Sequence, residues 1–381
     1  MTKIRLAFSL CALFVACDRE SAPSDAGKSV ASAGEAERVS VGPDAGGYGV
    51  PFGPLELEVA ADAKAAAAQM IARAQDDALT DDDRVDGSAD ALAWVAATAP
   101  TPKLAGDALI GVAMSKAPTA AGAKVLAARM RTADPEVLDA IISAMSEFMG
   151  QPVFVNDKLL MEALADAARS HPNQAVKDHA LASLWRLPVG RPERELSLAA
   201  LDPAGPPSRL WRVLDTMVAD DEADPLRARI LTAVQGLSSH AEPAVRGAAA
   251  RAWAKLVGAD PTARDRLLEL LADGNAYVRC EAVSGLGSMR RFYKELGPKL
   301  VKVLDDPALC EASLDVPDVG GGTKSEELSA QGSQLAVAGA RAIESMSLDR
   351  PDRLTLGSMM TDEELARAAA DAKAWVARQA G

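Results

Sequence analysis

Few side chains in this sequence of 381 residues could perform covalent or acid–base chemistry, and their spacing limits what each could do. The histidines are His171, His179 and His240. Two imidazoles bind one metal from a single helix face when they stand four residues apart. His171 and His179 are eight apart with Pro172 between them, so surface or capping roles are expected. The acidic run Asp81, Asp82, Asp83 and Asp86, followed by Gly87, has the composition of a calcium loop without its spacing. Arg84 occupies the third position counted from Asp82, and Ala93 stands where a bidentate glutamate belongs. A solvated turn with helix-capping acids is the expected outcome. The sequence has no Gly-x-Ser-x-Gly elbow and no glycine-rich phosphate loop following a strand. Catalytic residues, metal ligands and cofactors are therefore all expected to be none.

The elements that would position any functional group are helices in a repeating series. The stretch "LADGNAYVRCEAVSGLG" at 271–287 has a counterpart 33 residues upstream, "HAEPAVRGAAARAWAKLVG". Val245 corresponds to Val278, Arg246 to Arg279, Ala249 to Ala282 and Trp253 to Leu286, which is one helical stripe used twice. "HPNQAVKDHALASLWRLP" repeats it with Val176, Lys177, Ala180 and Leu184, and "DPEVLDAIISAMSEF" is a worn copy. Alanine dominates, aromatics are 4%, and period-two β-branched runs are almost absent, so no sheet is expected. Self-similarity at this period implies an all-α solenoid of stacked antiparallel helix pairs, each hiding its apolar stripe against its neighbours. Second helices are predicted to start near 135, 173, 207, 243 and 276. The assignment within 191–237 is ambiguous, because "DPLRARILTAVQGL" also reads as a second helix.

These residues resemble HEAT repeats: an acidic or Asn-containing turn, a Val-Arg pair opening the second helix, then Ala and Leu at helical spacing. The resemblance implies a solenoid whose Arg246 and Arg279 tie to acids in neighbouring turns, and a concave surface that binds a protein partner. Helical phase assigns Arg251, Lys255, Glu281, Ser284 and Ser288 to that surface. The alternative is an enzyme or small-ligand-binding protein on the same scaffold.

The ends of the chain carry different signals. "MTKIRLAFSLCALFVAC" has a basic start at Lys3 and Arg5 and a short apolar core, the pattern of a signal peptide over 1–16. Its ending, "LFVAC", resembles a bacterial lipobox, which implies lipidation of Cys17 and a lipid-anchored, extracytoplasmic protein of a bacterial cell envelope. Phe14 departs from the usual Leu three before the cysteine. Residues 17–54 are rich in Ser, Ala, Gly, Pro and Asp without an apolar period, so a flexible tether is expected. An N-terminal helical cap at 55–100, repeats over 101–349 and a capping helix at 350–381 complete the expected organisation. In the last, Thr361 and Glu364 form a capping box. Within the repeats, "DDPALCEASL" is expected to begin a second helix that Pro317 and Gly320–Gly322 break, leaving an irregular insertion at about 315–330.

Charge narrows the partner. A formal charge of −13 argues against nucleic acid. The charge is uneven, with 16 acids against 6 bases at 18–90 but 11 bases against 6 acids at 245–302. Arg290, Arg291 and Lys294 beside Phe292 and Tyr293 form a possible docking patch for an acidic protein partner. With Cys17 lipidated and the signal removed, Cys280 and Cys310 are the thiols left, and an oxidising compartment would permit a bridge. Equivalent positions in stacked helices lie ~8–10 Å apart, whereas a disulfide needs Cα atoms within ~7 Å. The sequence leaves both outcomes open.

Overall fold

Proline and short polar side chains determine where the helices begin. Proline opens helices at Pro102, Pro135, Pro207, Pro243 and Pro261, where its missing N–H leaves nothing unpaired. Thr101 caps the helix that Pro102 opens, and Thr80, Ser88, Thr119, Asp157, Asn173 and Asn275 cap others, each by accepting first-turn backbone N–H groups. The computed structural model describes residues 38–39, 55–76, 78–131, 134–146, 151–217, 224–257, 261–355 and 361–380. Cys17 and most of the expected tether lie outside them.

A two-residue antiparallel pair, β1 (Arg38–Val39) with β2 (Leu55–Glu56), precedes the helices. The first six helices are α1 (Ala61–Arg73), α2 (Asp81–Asp86), α3 (Ala89–Thr98), α4 (Pro102–Ala113), α5 (Ala120–Arg129) and α6 (Pro135–Ser146). Then come α7 (Pro152–Asn156), α8 (Lys158–Ser170), α9 (Gln174–Leu184), α10 (Arg194–Ala199), α11 (Pro207–Asp215) and α12 (Arg227–Leu237). The chain continues through α13 (Pro243–Val257), α14 (Pro261–Leu270), α15 (Ala276–Gly287) and α16 (Tyr293–Leu300). The strands β3 (Leu309–Pro317) and β4 (Thr323–Gln334) follow, then α17 (Leu335–Ser347) and α18 (Asp362–Ala380).

Packing sorts the helices into rows. The second-helix row runs α4, α6, α9, α11, α13, α15, α17, each against the next. A first-helix row runs α1, α3, α5, α8, α10, α12. The fold is an α-solenoid. The ambiguity at 191–237 resolves through α11, which joins the second-helix row between α9 and α13, whereas α12 packs on α10 and on its own partner α13. Small residues permit the close stacking: Ala248, Ala249, Ala250, Ala252 and Ala282 are fully buried. A methyl added at Gly287 would meet the Ala342 Cα at 2.8 Å, so α15 and α17 approach almost backbone to backbone.

The expected arginine ladder is present. Arg246 pairs with Asp273 (Nε–Oδ2 2.8 Å) and donates to the carbonyls of His240 and Ala241. Arg279 repeats this with Asp306 (3.1 Å) and the carbonyls of Asp273 and Gly274. Each arginine thus fixes the turn that opens its own helix and the turn of the next repeat. His171 and His240 serve such turns by accepting, through Nδ1, the N–H of Asn173 (3.1 Å) and Glu242 (3.0 Å). Asp273 and Asp306 do the same for Asn275 and Ala308. His179 is held by Asp139 at 2.8 Å. The acidic run at 81–86 is a short helix rather than a turn, and Asp83 is tied to Arg73. The capping box at α18 forms, with Thr361 N donating to Glu364 Oε2 (2.7 Å) and Glu364 N to Thr361 Oγ1 (3.3 Å).

The largest correction concerns the insertion. Residues 309–317 form a strand, not a second helix, and 309–334 is an antiparallel hairpin rather than an irregular loop at about 315–330. Its alternation is legible in β3, where Cys310, Leu314 and Val316 are buried while Glu311, Ser313 and Asp315 are exposed. Gly321 and Gly322 make the turn with φ of +94° and +86°, which favour glycine. The hairpin's ends are drawn together, since Leu335 N donates to Ala308 O (2.9 Å) and Ala336 N to Asp306 O (3.2 Å). α17 therefore starts from the turn where the second helix was expected. Because Cys310 lies on a strand crossing α15, and not on a stacked helix, the spacing objection to a bridge does not apply. Cys280 and Cys310 are joined by a disulfide with a Cα–Cα separation of 5.8 Å.

Candidate partner-binding face

The phase-assigned residues fall into two groups on different parts of the molecule. Arg251, Lys255, Glu281, Ser284 and Ser288 lie on α13 and α15 and at the end of α15, in the second-helix row. Arg290, Arg291 and Lys294 lie on the following 3-10 turn and α16, which packs on α17 and α18. Neighbours in sequence are thus not neighbours in one site.

The first group forms a polar seam across the row. Arg251 donates through Nη1 to Glu281 Oε1 and to Tyr277 Oη (2.8 Å), and its Nη2 lies 3.0 Å from Asp215 Oδ1 on α11. Helical phase put Glu281 on the surface, but the structure buries it to 4% exposure. Tyr277 shares the Arg251 guanidinium with it. Its ring fills the notch left by Gly247, where any added Cβ would collide with it. The seam continues on both sides. Lys255 Nζ donates to Asp215 O (2.8 Å) at the carbonyl end of α11, where a cation is favoured by the helix dipole. Thr216 Oγ1 donates to Ala182 O (3.1 Å), Ser146 and Ser183 share a hydrogen bond (2.8 Å), and Arg186 Nη1 reaches Ser146 O (3.4 Å). Ser288 is exposed and donates to Gly285 O (2.7 Å), while Ser284 is half-buried.

Electrostatics follows from burial. Removal from water pushes the Glu281 carboxyl above its ordinary value, opposed by the Arg251 charge. Arg251 is held above the usual guanidinium value: burial opposes its charge, but Glu281 and Asp215 outweigh it. Tyr277 is raised, first by burial. Lys255 is lowered, first by the partial loss of water around it and then by Arg251 and Arg186 beside it, with Asp215 pulling the other way. Inside the seam the Arg251 Nη groups are matched to acceptors while its buried Nε has none among the described residues, and Lys255, Arg186 and Ser288 stand at the exposed rim.

The second group is partly neutralised. Arg290 pairs with Asp349 (3.0 Å), and Arg291 stacks over Phe292 with its guanidinium 4.7 Å from the ring centre. Arg264 covers the same ring at 4.8 Å and pairs with Glu295 (2.9 Å). Arg291 and Lys294 are exposed. Much of the basic island is therefore structural.

Sequence reasoning missed Tyr277 and Asp215 in the seam, and the hairpin. The signal for Asp215 was available: it occupies, in the helix that begins at 207, the place that Arg251 occupies in the helix that begins at 243. Open cavities lie elsewhere, including a largely apolar one of about 480 Å³ between α10 and α12, lined by Leu198, Leu201, Pro203, Ala228 and Ala233. Among the described residues no cluster of His, Cys, Asp or Glu could hold a metal, and no helix is long and apolar enough to cross a membrane.

Residues 230–311 match the family model described as HEAT repeats, a stretch running from α12 into β3 and containing the arginine ladder. No curated protein matches the chain.

Proposed function

We propose that this protein is a lipid-anchored, extracytoplasmic scaffold of a bacterial cell envelope that binds a protein partner along its second-helix row. The observation that carries the reading is the unbroken row from α4 to α17, crossed by a polar seam with an exposed rim. HEAT-type solenoids present such extended surfaces to other proteins, and a seam of fixed hydrogen-bonding groups gives register without depending on a single pocket. Lys255 and Ser288 on the row, with Arg291 and Lys294 beyond it, suit an acidic partner surface. The lipobox-like ending at Cys17 supports the anchor. A small-ligand or enzymatic role is the weaker alternative, because Arg251, Tyr277 and Glu281 satisfy one another instead of facing an open cavity.

Affinity capture from solubilised membranes tests the reading. Lys255→Glu with Ser288→Glu should reduce recovery of a specific protein partner, and Arg290→Glu with Arg291→Glu and Lys294→Glu tests the other face. Binding indifferent to both sets and to added salt removes the electrostatic reading. Cys17→Ser should release the protein from the membrane fraction or leave it unprocessed. A variant that fractionates and migrates like the parent rules out the anchor.

A further inference from the structure

We infer that the 309–334 hairpin is a strap that makes the second-helix row from α9 to α17 act as one mechanical unit. In a plain solenoid each repeat touches only its neighbours, so the stack can flex or open at any single interface. Here one element touches α9, α11, α13, α15 and α17. It is fastened in three chemically different ways. At the root, the carbonyls of Asp306 and Ala308 hold α17 to the turn, and the disulfide ties β3 to α15. Along the span, Leu314 and Val316 are buried to 4% and 1% exposure. At the tip, Asn173 Nδ2 donates to Val319 O at 2.7 Å. The same Asn173 caps α9 through Oδ1, so one side chain joins the tip to the start of α9.

An extended strand cannot lengthen further. Separating α9 from α11, or α11 from α13, therefore requires the strap to lift and to expose Leu314 and Val316. The disulfide reports that event. Cys280 and Cys310 are both fully buried, so a reductant reaches the sulfurs only when the strap has lifted. With dithiothreitol, one reagent thiolate attacks a protein sulfur and displaces the other as a thiolate. The second reagent thiol then closes a cyclic disulfide and frees the remaining cysteine. Two electrons pass from the reagent to the protein, leaving two protein thiols.

The experiment measures reduction of the oxidised full chain by dithiothreitol, with alkylation quench and mass spectrometry. Asn173→Asp keeps the α9 cap but loses the donor to Val319, and Val316→Ala removes a buried contact at the far end of the strand. Val316→Ala should speed reduction about tenfold or more. Asn173→Asp should speed it several-fold, while Leu126→Ala in α5, outside the strap, leaves the parent rate. In the reverse direction, Cys310→Ala should raise amide exchange of peptides covering residues 174–180. Parent-like reduction in both tip variants overturns the strap, and so does equal acceleration by Leu126→Ala. Unchanged exchange at α9 after loss of the disulfide overturns it as well, and that readout does not depend on how well either tip variant folds.

Discussion

Removing Arg251 should do far more harm than removing its partner Glu281, because the two residues stand differently toward water. The Glu281 side chain is 5% exposed and the Arg251 side chain 21%. Arg251→Met leaves a carboxylate in that site without its cation, a change that typically costs ~3–5 kcal/mol. Water reaches Arg251 and Asp215, whose side chain is 45% exposed, which places the expected loss near the lower end, about 3 kcal/mol. Glu281→Gln behaves otherwise. The amide oxygen still accepts from Nη1, and Arg251 keeps Asp215 and Tyr277, so a loss of about 1 kcal/mol is expected.

The double variant Arg251→Met with Glu281→Gln should recover most of the Arg251→Met loss. Acidification should do the same. Burial raises the folded-state value of Glu281 above its ordinary one, so its contribution is fullest below that ordinary value and declines as pH rises through the folded one. Without Arg251 the folded value rises further, and the penalty at pH 7.5 should shrink toward pH 5. Urea midpoints of the four proteins at both pH values are the assay. Equal losses in the two single variants refute the reasoning, as does an Arg251→Met loss that neither acid nor the second substitution relieves.

Two further predictions concern stability. Gly247→Ala should force the Tyr277 ring out of its notch, lowering stability by about 1–3 kcal/mol in thermal melts, and a parent-like melt would mean the ring can move without consequence. Burial lowers His171 below its ordinary value, so the unfolded chain takes up the proton first as pH falls. The stability its neutral ring contributes is full above about pH 6.5 and is lost below it. His171→Asn, which keeps an acceptor for Asn173 N, should flatten that acid loss in urea titrations, and an unchanged profile would assign the loss to other groups.

The repeat was legible because its signals are local. Val245 and Val278, or Arg246 and Arg279, recur at a fixed interval on one helical stripe, and each repeat solves the same packing problem. The rim residue Lys255 was legible for the same reason, since helical phase alone sets its direction. Glu281 was not, because phase says which way a side chain starts but not what covers it. Here Arg251 reaches Glu281 from the neighbouring helix, and Tyr277, bonded to the same Arg251, needs a glycine one helix away. The hairpin was hidden by composition: "LCEASLDVP" carries alanine and serine where a strand would announce itself with β-branched residues, and "DDPALCEASL" fits a helical stripe at the expected spacing.

The position of the hairpin explains why the solenoid accepts it. An insertion within a helix would displace every later side chain around the helical face, but one placed in a turn need only return to its starting point. The hydrogen bonds from Leu335 and Ala336 back to Ala308 and Asp306 close that circuit. With residues 309–334 set aside, α17 begins one repeat length after α15, and the Arg279–Asp306 pair still anchors the turn as Arg246–Asp273 does one repeat earlier. The insertion leaves the local repeat logic intact while adding contacts that reach back to α9. Nearest-neighbour rules therefore build this row, but from α9 onward they no longer describe all of its coupling.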